Sequence, residues 1–169
     1  MYILSRFSIG ENEIELTYPE RSQAKKLFKV IDKDRKSLEY WMPCTKSTKA
    51  VGDEIRFIDY AREQIAKYKL FENVIVLNGQ PVGMVDFHNL DWDNHIAEIG
   101  YWLSSDAQGK GIMTESVKRL VDVGFDEFKL NKIILEAESS NQASRAVAER
   151  LGFEQEAVLK QQVAHKKHQ

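Results

Sequence analysis

Gln108-Gly109-Lys110-Gly111-Ile112-Met113-Thr114 follows directly on the apolar alternation of Ile96 to Leu103 and opens an amphipathic helical pattern. In that pattern Val117, Leu120, Val121, Phe125 and Phe128 recur at helical spacing, with Gly124 on the same stripe. The chain thus reads strand, glycine turn, helix. Such a junction turns several backbone N–H groups outward at a helix N-terminus, where the macrodipole adds roughly half a positive charge. The product suits a phosphate or pyrophosphate, and Gly109 and Gly111 carry no side chain that would hold an anion away. The spacing matches neither the GxxxxGK[ST] of a P-loop nor the full GxGxxG of a dinucleotide fold, so neither nucleotide class is supported. On spacing alone, an ordinary strand-to-helix turn in which the glycines serve geometry stays open.

Upstream the period is two. Asn73 to Leu77, the Asn78-Gly79 turn and Val82 to Leu90 read as a hairpin, because Asn-Gly favours the primed turns that match strand twist. Asp91 to Asn94 makes a second polar turn, and His95 to Leu103 is expected to return as the next antiparallel strand. Downstream of a helix over Thr114 to Phe128, Ile133, Ile134 and Leu135 form a short apolar run within Lys132 to Glu138, the pattern of a strand buried on both faces. A single connecting helix makes it parallel to the Ile96 to Leu103 strand. Asn141 then caps a helix through Arg150, closed by Gly152 at C′. At the start, Glu13 to Tyr18 alternates as a half-buried strand, and Ser22 caps a helix with Ala24, Leu27, Phe28 and Ile31 on one face. A short helix carries Leu38 toward Trp41, Met42-Pro43 forces extended backbone, and Ser47 and Thr48 cap a longer helix to about Tyr68.

Composition bounds what such a chain can do. A length of 169 residues is most economically one domain over residues 1–169. With 43% apolar and 30% charged residues the protein reads as soluble and globular. A net charge of -2 gives no global reason to bind nucleic acid. The N-terminal Met-Tyr-Ile-Leu-Ser-Arg stretch is too short for a signal h-region, and no apolar run approaches the length of a membrane span, so a cytosolic location with no membrane partner is expected. The single cysteine, Cys44, excludes an internal disulfide and fits a reducing compartment. His165 and His168 lack carboxylate or cysteine partners, so no metal is expected. His88 and His95 flank a turn and read as surface residues.

Gln108 to Met113 resembles the Q/R-x-x-G-x-G/A coenzyme A loop of the GNAT superfamily of acetyltransferases, with Met113 where many members have a small residue. Ala97-Glu98-Ile99-Gly100-Tyr101-Trp102-Leu103 before it, and Asn141-x-x-Ser144 and Leu151-Gly152-Phe153 after it, resemble the RimJ/RimL branch. The resemblance spans about residues 7 to 160. It implies an α+β fold: a mixed, mostly antiparallel twisted sheet, splayed between two parallel strands and flanked by helices. It also implies acetyl-CoA as cosubstrate, with Gln108, Gly109, Lys110, Gly111, Ile112, Met113 and Thr114 at its diphosphate. Tyr101, Trp102 and Leu103 would offer backbone to the pantetheine arm, with one of their N–H groups facing the thioester oxygen, and Asn141 would reach that arm from the other side. In such folds the first region forms one wall of the acceptor site, where Trp41 is expected; as a residue, Trp41 reads equally as core.

Acyl transfer from a thioester to an amine needs a grip on the donor, hydrogen bonds to the developing oxyanion and a neutral amine. Glu98 occupies a position where some members of the family place the carboxylate that deprotonates the amine, and Ser144 matches the serine that RimL-type enzymes use to reprotonate the thiolate. Many members use a tyrosine further along that helix; here the position is Ala148. RimL-type sequences also carry a catalytic Glu after the Gly-Phe-x-x-Glu segment and then a last strand. Val163 stands at the Glu position, Ala164-His165-Lys166-Lys167-His168 reads as a solvated basic tail, and the last strand is expected to be shortened or absent. The acceptor side would then be open, or completed by a second subunit in a homodimer.

An α-amine with a pKa of about 7.7 to 8.0 needs under ~1 kcal/mol to deprotonate near neutrality, whereas a lysine near ~10.4 needs about 4 kcal/mol. General-base help is worth roughly 3 to 5 kcal/mol. A site short of a strong base leans toward N-terminal amines, which agrees with the branch resembled and points to a ribosomal-protein N-terminus as acceptor. Two alternatives stay open: an acetyltransferase for polyamines or amino sugars, and a coenzyme A-binding regulatory protein without turnover.

Overall fold

In a computed structural model, residues 1–163 are described. The strands are β1 (Ile3–Ile9), β2 (Asn12–Thr17), β3 (Phe71–Leu77), β4 (Gln80–Asp91), β5 (Ile96–Leu103) and β6 (Lys132–Leu135). The helices are α1 (Ala24–Lys33), α2 (Arg35–Trp41), α3 (Val51–Ala66), α4 (Ile112–Asp126) and α5 (Gln142–Arg150). One sheet holds all six strands in chain order, antiparallel from β1 to β5 and parallel between β5 and β6.

Side chains of opposite parity leave the sheet on opposite faces, and each face has its own helices. On one, α1 and α3 bring Ala24, Leu27 and Ile58 against Val74, Val76, Met84 and Trp102. On the other, Ile112, Val117 and Leu120 of α4 and Val147 of α5 pack on Ile14, Ile75, Val85, Phe87, Ala97 and Ile99. Gly124 lets α4 cross the sheet closely: a Cβ there would stand 2.8 Å from Phe87 Cζ and 3.0 Å from Ile133 Cδ1.

The turn between β3 and β4 has φ of 47° at Asn78 and 80° at Gly79, the positive values a primed turn requires. Asn78 Oδ1 also accepts from the Glu13 N–H at 2.8 Å, which pins the hairpin to β2. Ser22 does not cap α1: it lies inside a 3-10 turn, Arg21–Gln23, and the N-cap is Gln23 with no side-chain cap bond. Two further points differ from expectation. β1 was not foreseen, and it forms an edge hairpin with β2. Neither Ser47 nor Thr48 caps α3: the N-cap is Ala50, and the Asp53 carboxylate accepts from the backbone N–H groups of Lys49 at 2.8 Å and Ala50 at 2.9 Å. A carboxylate one turn inside a helix reaches orphan donors as well as a capping hydroxyl does, with a favourable dipole interaction added.

Candidate active site

The site is built where β5 and β6 part. Their ladder runs from Ile96↔Lys132 to Ile99↔Leu135 and stops, while β5 stays paired with β4 as far as Leu103. The Ser104 N–H bonds to Val82 O at 2.7 Å. Backbone direction alternates along a strand, so Trp102 also turns its N–H and C=O to β4, and Tyr101 and Leu103 turn theirs to the open side. Leu103 O there accepts from Gln108 Nε2 at 3.1 Å. Of the three residues expected to offer backbone, Tyr101 and Leu103 thus face the opening and Trp102 does not.

The loop after β5 begins with a short 3-10 turn, Ser105–Ala107. It is tied to the α1–α2 junction: Asp34 accepts from the Ser105 N–H at 2.8 Å and the Ser105 hydroxyl at 2.6 Å, and Lys33 pairs with Asp106. Gly109 and Gly111 have φ of 75° and 79°. The left-handed region is costly for residues with a Cβ, and Gly111 is the N-cap of α4. The first N–H groups of α4 have no carbonyl one turn earlier to bond. A Cβ at Gly109 would meet nothing within 4 Å, so the space beside these amides is open. Ile112 is buried and Met113 packs against the core, which leaves their backbone as what they present. Lys110 is exposed. An open strand edge leading to a glycine-built helix N-terminus fits an amide-bearing arm that ends in a diphosphate.

Two proton-bearing groups flank the opening on opposite faces of the sheet. On the α4–α5 face, the Tyr101 hydroxyl lies 2.9 Å from Ser144 Oγ and donates to Ser144 O at 3.2 Å. Burial pushes the Tyr101 phenol above its ordinary value, against a smaller opposing effect of the bond to Ser144. Asn141 Oδ1 accepts from the Ser144 N–H at 3.2 Å and so caps α5, which fixes the first turn that carries Ser144.

On the α1–α3 face stands Glu98, whose Oε2 is 3.3 Å from His88 Nε2, its cross-strand partner. His88 Nδ1 is 2.8 Å from Asp86 Oδ1. The hydrogen bond to Asp86 raises the His88 pKa above its ordinary value, against the effect of burial, with the charges of Asp86 and Glu98 adding to the rise. Held by Glu98 and Asp86, His88 is not the unattached surface residue expected. Behind Asp86 lies Glu72, directly opposite it on β3 and only 4% exposed. Burial, then the charge of Asp86, pushes the Glu72 carboxyl well above its usual range, so it bonds Asp86 as a neutral acid.

Trp41 ends α2 and lines a surface hollow of about 480 Å³ with Lys36, Ser37 and Tyr40. It is 37% exposed and meets the Tyr40 ring edge-on at 4.6 Å. The turn that follows is held by Arg35, which donates to Thr48 O at 2.8 Å. Val163 is exposed, and residues 151–163 form no strand. The basic stretch Ala164 to His168 lies outside the described residues. Among the described residues no cluster of His, Cys, Asp and Glu has the arrangement of a metal site, and no helix is long and apolar enough to cross a membrane.

The sequence matches the acetyltransferase (GNAT) domain over residues 13–154. The chain belongs to the GNAT acetyltransferase family. It is 34% identical over 153 residues to the "Putative ribosomal N-acetyltransferase YdaF" of Bacillus subtilis (strain 168), covering 89% of this chain and 83% of that protein. Among solved structures, Mycobacterium smegmatis RimJ in complex with CoA-disulfide superposes with a TM-score of 0.87 at 26% identity, over 95% of this chain and 81% of that one. The microcin C7 self-immunity acetyltransferase MccE, solved with acetyl-CoA and AMP, gives a TM-score of 0.78 at 27% identity, over 82% of this chain and 77% of that one. Within this GNAT fold, sequence reasoning missed His88, Asp86 and Glu72, and it took Tyr101 for its backbone alone. The period-two alternation of Met84, Asp86 and His88 was the available signal, but it does not say what stands opposite.

Proposed function

We propose that this chain transfers an acetyl group from acetyl-CoA to a primary amine by direct attack, and that the amine is a protein N-terminal α-amine of the ribosomal-protein kind. The observation that carries the reading is the opening between β5 and β6, with Glu98 on one face and Ser144 on the other. Acetyl-CoA supplies the acyl group activated as a thioester. The N–H groups from Gly109 to Thr114 hold its diphosphate, helped by the charge of Lys110, and Gln108 fixes the loop's entry. Tyr101 and Leu103 give their free backbone edge to the pantetheine amides, and one of those N–H groups stabilises the oxyanion. Asn141, its carbonyl oxygen committed to the cap, offers its amide N–H2 to the same arm. Glu98 takes the amine proton directly or through water, and Ser144 returns one to the departing thiolate.

The choice of amine rests on the pKa argument and on where the charges lie. A polyamine asks for several accessible anions, whereas two of the carboxylates on the α1–α3 face, Glu54 and Glu72, are buried and raised in pKa. Trp41, beside the α1–α3 face, suits the apolar part of a peptide. Calorimetry with acetyl-CoA and thiol release with peptides beginning with Ser or Ala, against spermidine and amino sugars, test the reading. Binding without turnover on any amine would sustain the non-catalytic alternative, and a preference for spermidine would sustain the small-molecule one.

A further inference from the structure

Glu98, His88, Asp86 and Glu72 form an unbroken row across β5, β4 and β3 on the face covered by α1 and α3. Each link is set by register: Glu98 lies opposite His88, and Asp86 lies opposite both Gly100 and Glu72. Gly100 leaves room for the row, since a Cβ there would stand 3.2 Å from Asp86 Oδ1 and from His88 Cε1. A glycine inside a strand costs roughly 0.5–1 kcal/mol, so the space has a use. Glu72, as a neutral acid, donates to Asp86 and fixes its carboxylate. Asp86 in turn takes the Nδ1–H of His88 and leaves Nε2 as the atom that faces Glu98. Two acceptors 3.3 Å apart, an imidazole nitrogen and a carboxylate oxygen, make a seat for one proton.

We propose that His88 is the proton carrier of the acetyl transfer, receiving from Glu98 the proton that the amine gives up, with Asp86 and Glu72 as positioning residues behind it. The inference rests on the acyl-transfer reading above. As the C–N bond forms and the C–S bond breaks, the nitrogen's proton passes to Glu98 Oε2 and on to His88 Nε2. The imidazolium, held at Nδ1 by Asp86 and with a side chain 39% exposed, then releases it to water. The thiolate is served separately, from Ser144 on the opposite face, which takes a proton back from water as His88 releases one. The groups that face His88 and its partners are Asp86 on its own strand, Glu98 on β5, Glu72 on β3 and Glu54 on α3, while α1 turns the apolar Ala24, Leu27 and Ile31 to the core. Of these, the carboxylates of Asp86 and Glu98 favour a cationic imidazole as an intermediate, while Glu72 and Glu54, raised by burial, add no such charge.

The test uses the whole chain and two readouts. Histidine side-chain NMR across pH 5 to 9, without ligand, is expected to show His88 titrating above the ordinary value near ~6.5, and Asp86→Asn and Glu98→Gln each bring it back toward that value. Thiol release by His88→Gln is expected to fall on the order of 10²-fold in kcat, with acetyl-CoA affinity within twofold of the unsubstituted chain. Its pH profile should lose the acid limb that belongs to His88. Glu72→Val, which removes the donor toward Asp86, should lower kcat, and Glu72→Gln, which restores a donor, should recover the rate; equal rates in the two would remove Glu72 from the row. An unshifted His88 titration in Asp86→Asn and Glu98→Gln, or an unchanged rate and profile in His88→Gln, overturns the proposal. If the NMR shifts occur as expected but the unsubstituted chain releases no thiol with any amine, the acyl-transfer reading is what has failed, and the carrier role falls with it.

Discussion

Glu54→Gln is a direct probe of how the α1–α3 face treats charge. Glu54 sits on α3 at 2% exposure, its Oε1 has no hydrogen-bond partner among the described residues, and burial lifts its carboxyl from 4.5 to about 7. Between those values the folded chain holds a proton that the unfolded chain has released, so stability falls as pH rises from about 4.5 through 7 and levels off above about 8. At ~1.4 kcal/mol per pH unit, the loss contributed by this one group is about 3 kcal/mol. Glutamine keeps the shape of the protonated acid and cannot ionise. The variant should therefore match the unsubstituted chain near pH 4.5 and exceed it at pH 8 by up to about 3 kcal/mol. That is roughly 6 to 12 °C in Tm for a domain of this size. Removing the Glu54 charge also eases Glu72, whose carboxyl it helps to raise, and that effect has the same sign. Urea denaturation of both proteins at half-unit steps from pH 4.5 to 9 gives the difference curve. A difference that stays constant across that range would refute the reasoning, because it would mean that Glu54 ionises alike in the folded and unfolded chains.

Gly111→Val places a branched side chain at φ of 79° beside the open amides, and calorimetry should show acetyl-CoA affinity down at least about tenfold; unchanged affinity would reject the loop. Ser144→Ala and Tyr101→Phe should each lower kcat by about 10- to 100-fold with little change in acetyl-CoA affinity, and the double variant should be scarcely worse than the weaker single, as expected of two groups joined at 2.9 Å. Equal losses in turnover and binding would make both structural. Gly124→Ala should destabilise by about 1–3 kcal/mol in urea denaturation, since its Cβ would press on Phe87 and Ile133; a stabilised variant would show that α4 can shift at no cost. Trp41→Ala should raise the acceptor KM and leave that for acetyl-CoA alone, and the reverse pattern would remove Trp41 from the acceptor wall.

What could be read from the sequence was what local chemistry dictates. Asn78-Gly79 specified its turn, Asn141 its cap and Gly152 its left-handed C′ position with φ of 76°, because each depends on neighbours a few residues away. The parallel pairing of β5 with β6 followed from chain connectivity. β1 escaped because its alternation is weak: Phe7 is its one buried residue. Glu98 and Ser144 were named from a resemblance, but their partners were not, and the reason is register. His88 lies opposite Glu98 only because the ladder shifts between His88 and Asp91, an irregularity that no period reveals. Tyr101 meets Ser144 across 43 residues of chain. Glu72 was the least legible, since an acid at the start of a strand ordinarily faces water.

The strand order of the sheet repeats the order of the chain, which bears on how the protein comes together. Each strand from the second to the fifth can be laid down beside one already made, at the low loop-closure cost of near neighbours, apart from the excursion through α1 to α3. The sixth must wait for a whole helix to be threaded, and it then grips its neighbour through four residue pairs. The opening between β5 and β6 therefore depends for one of its walls on the strand that shares the fewest residue pairs with the sheet.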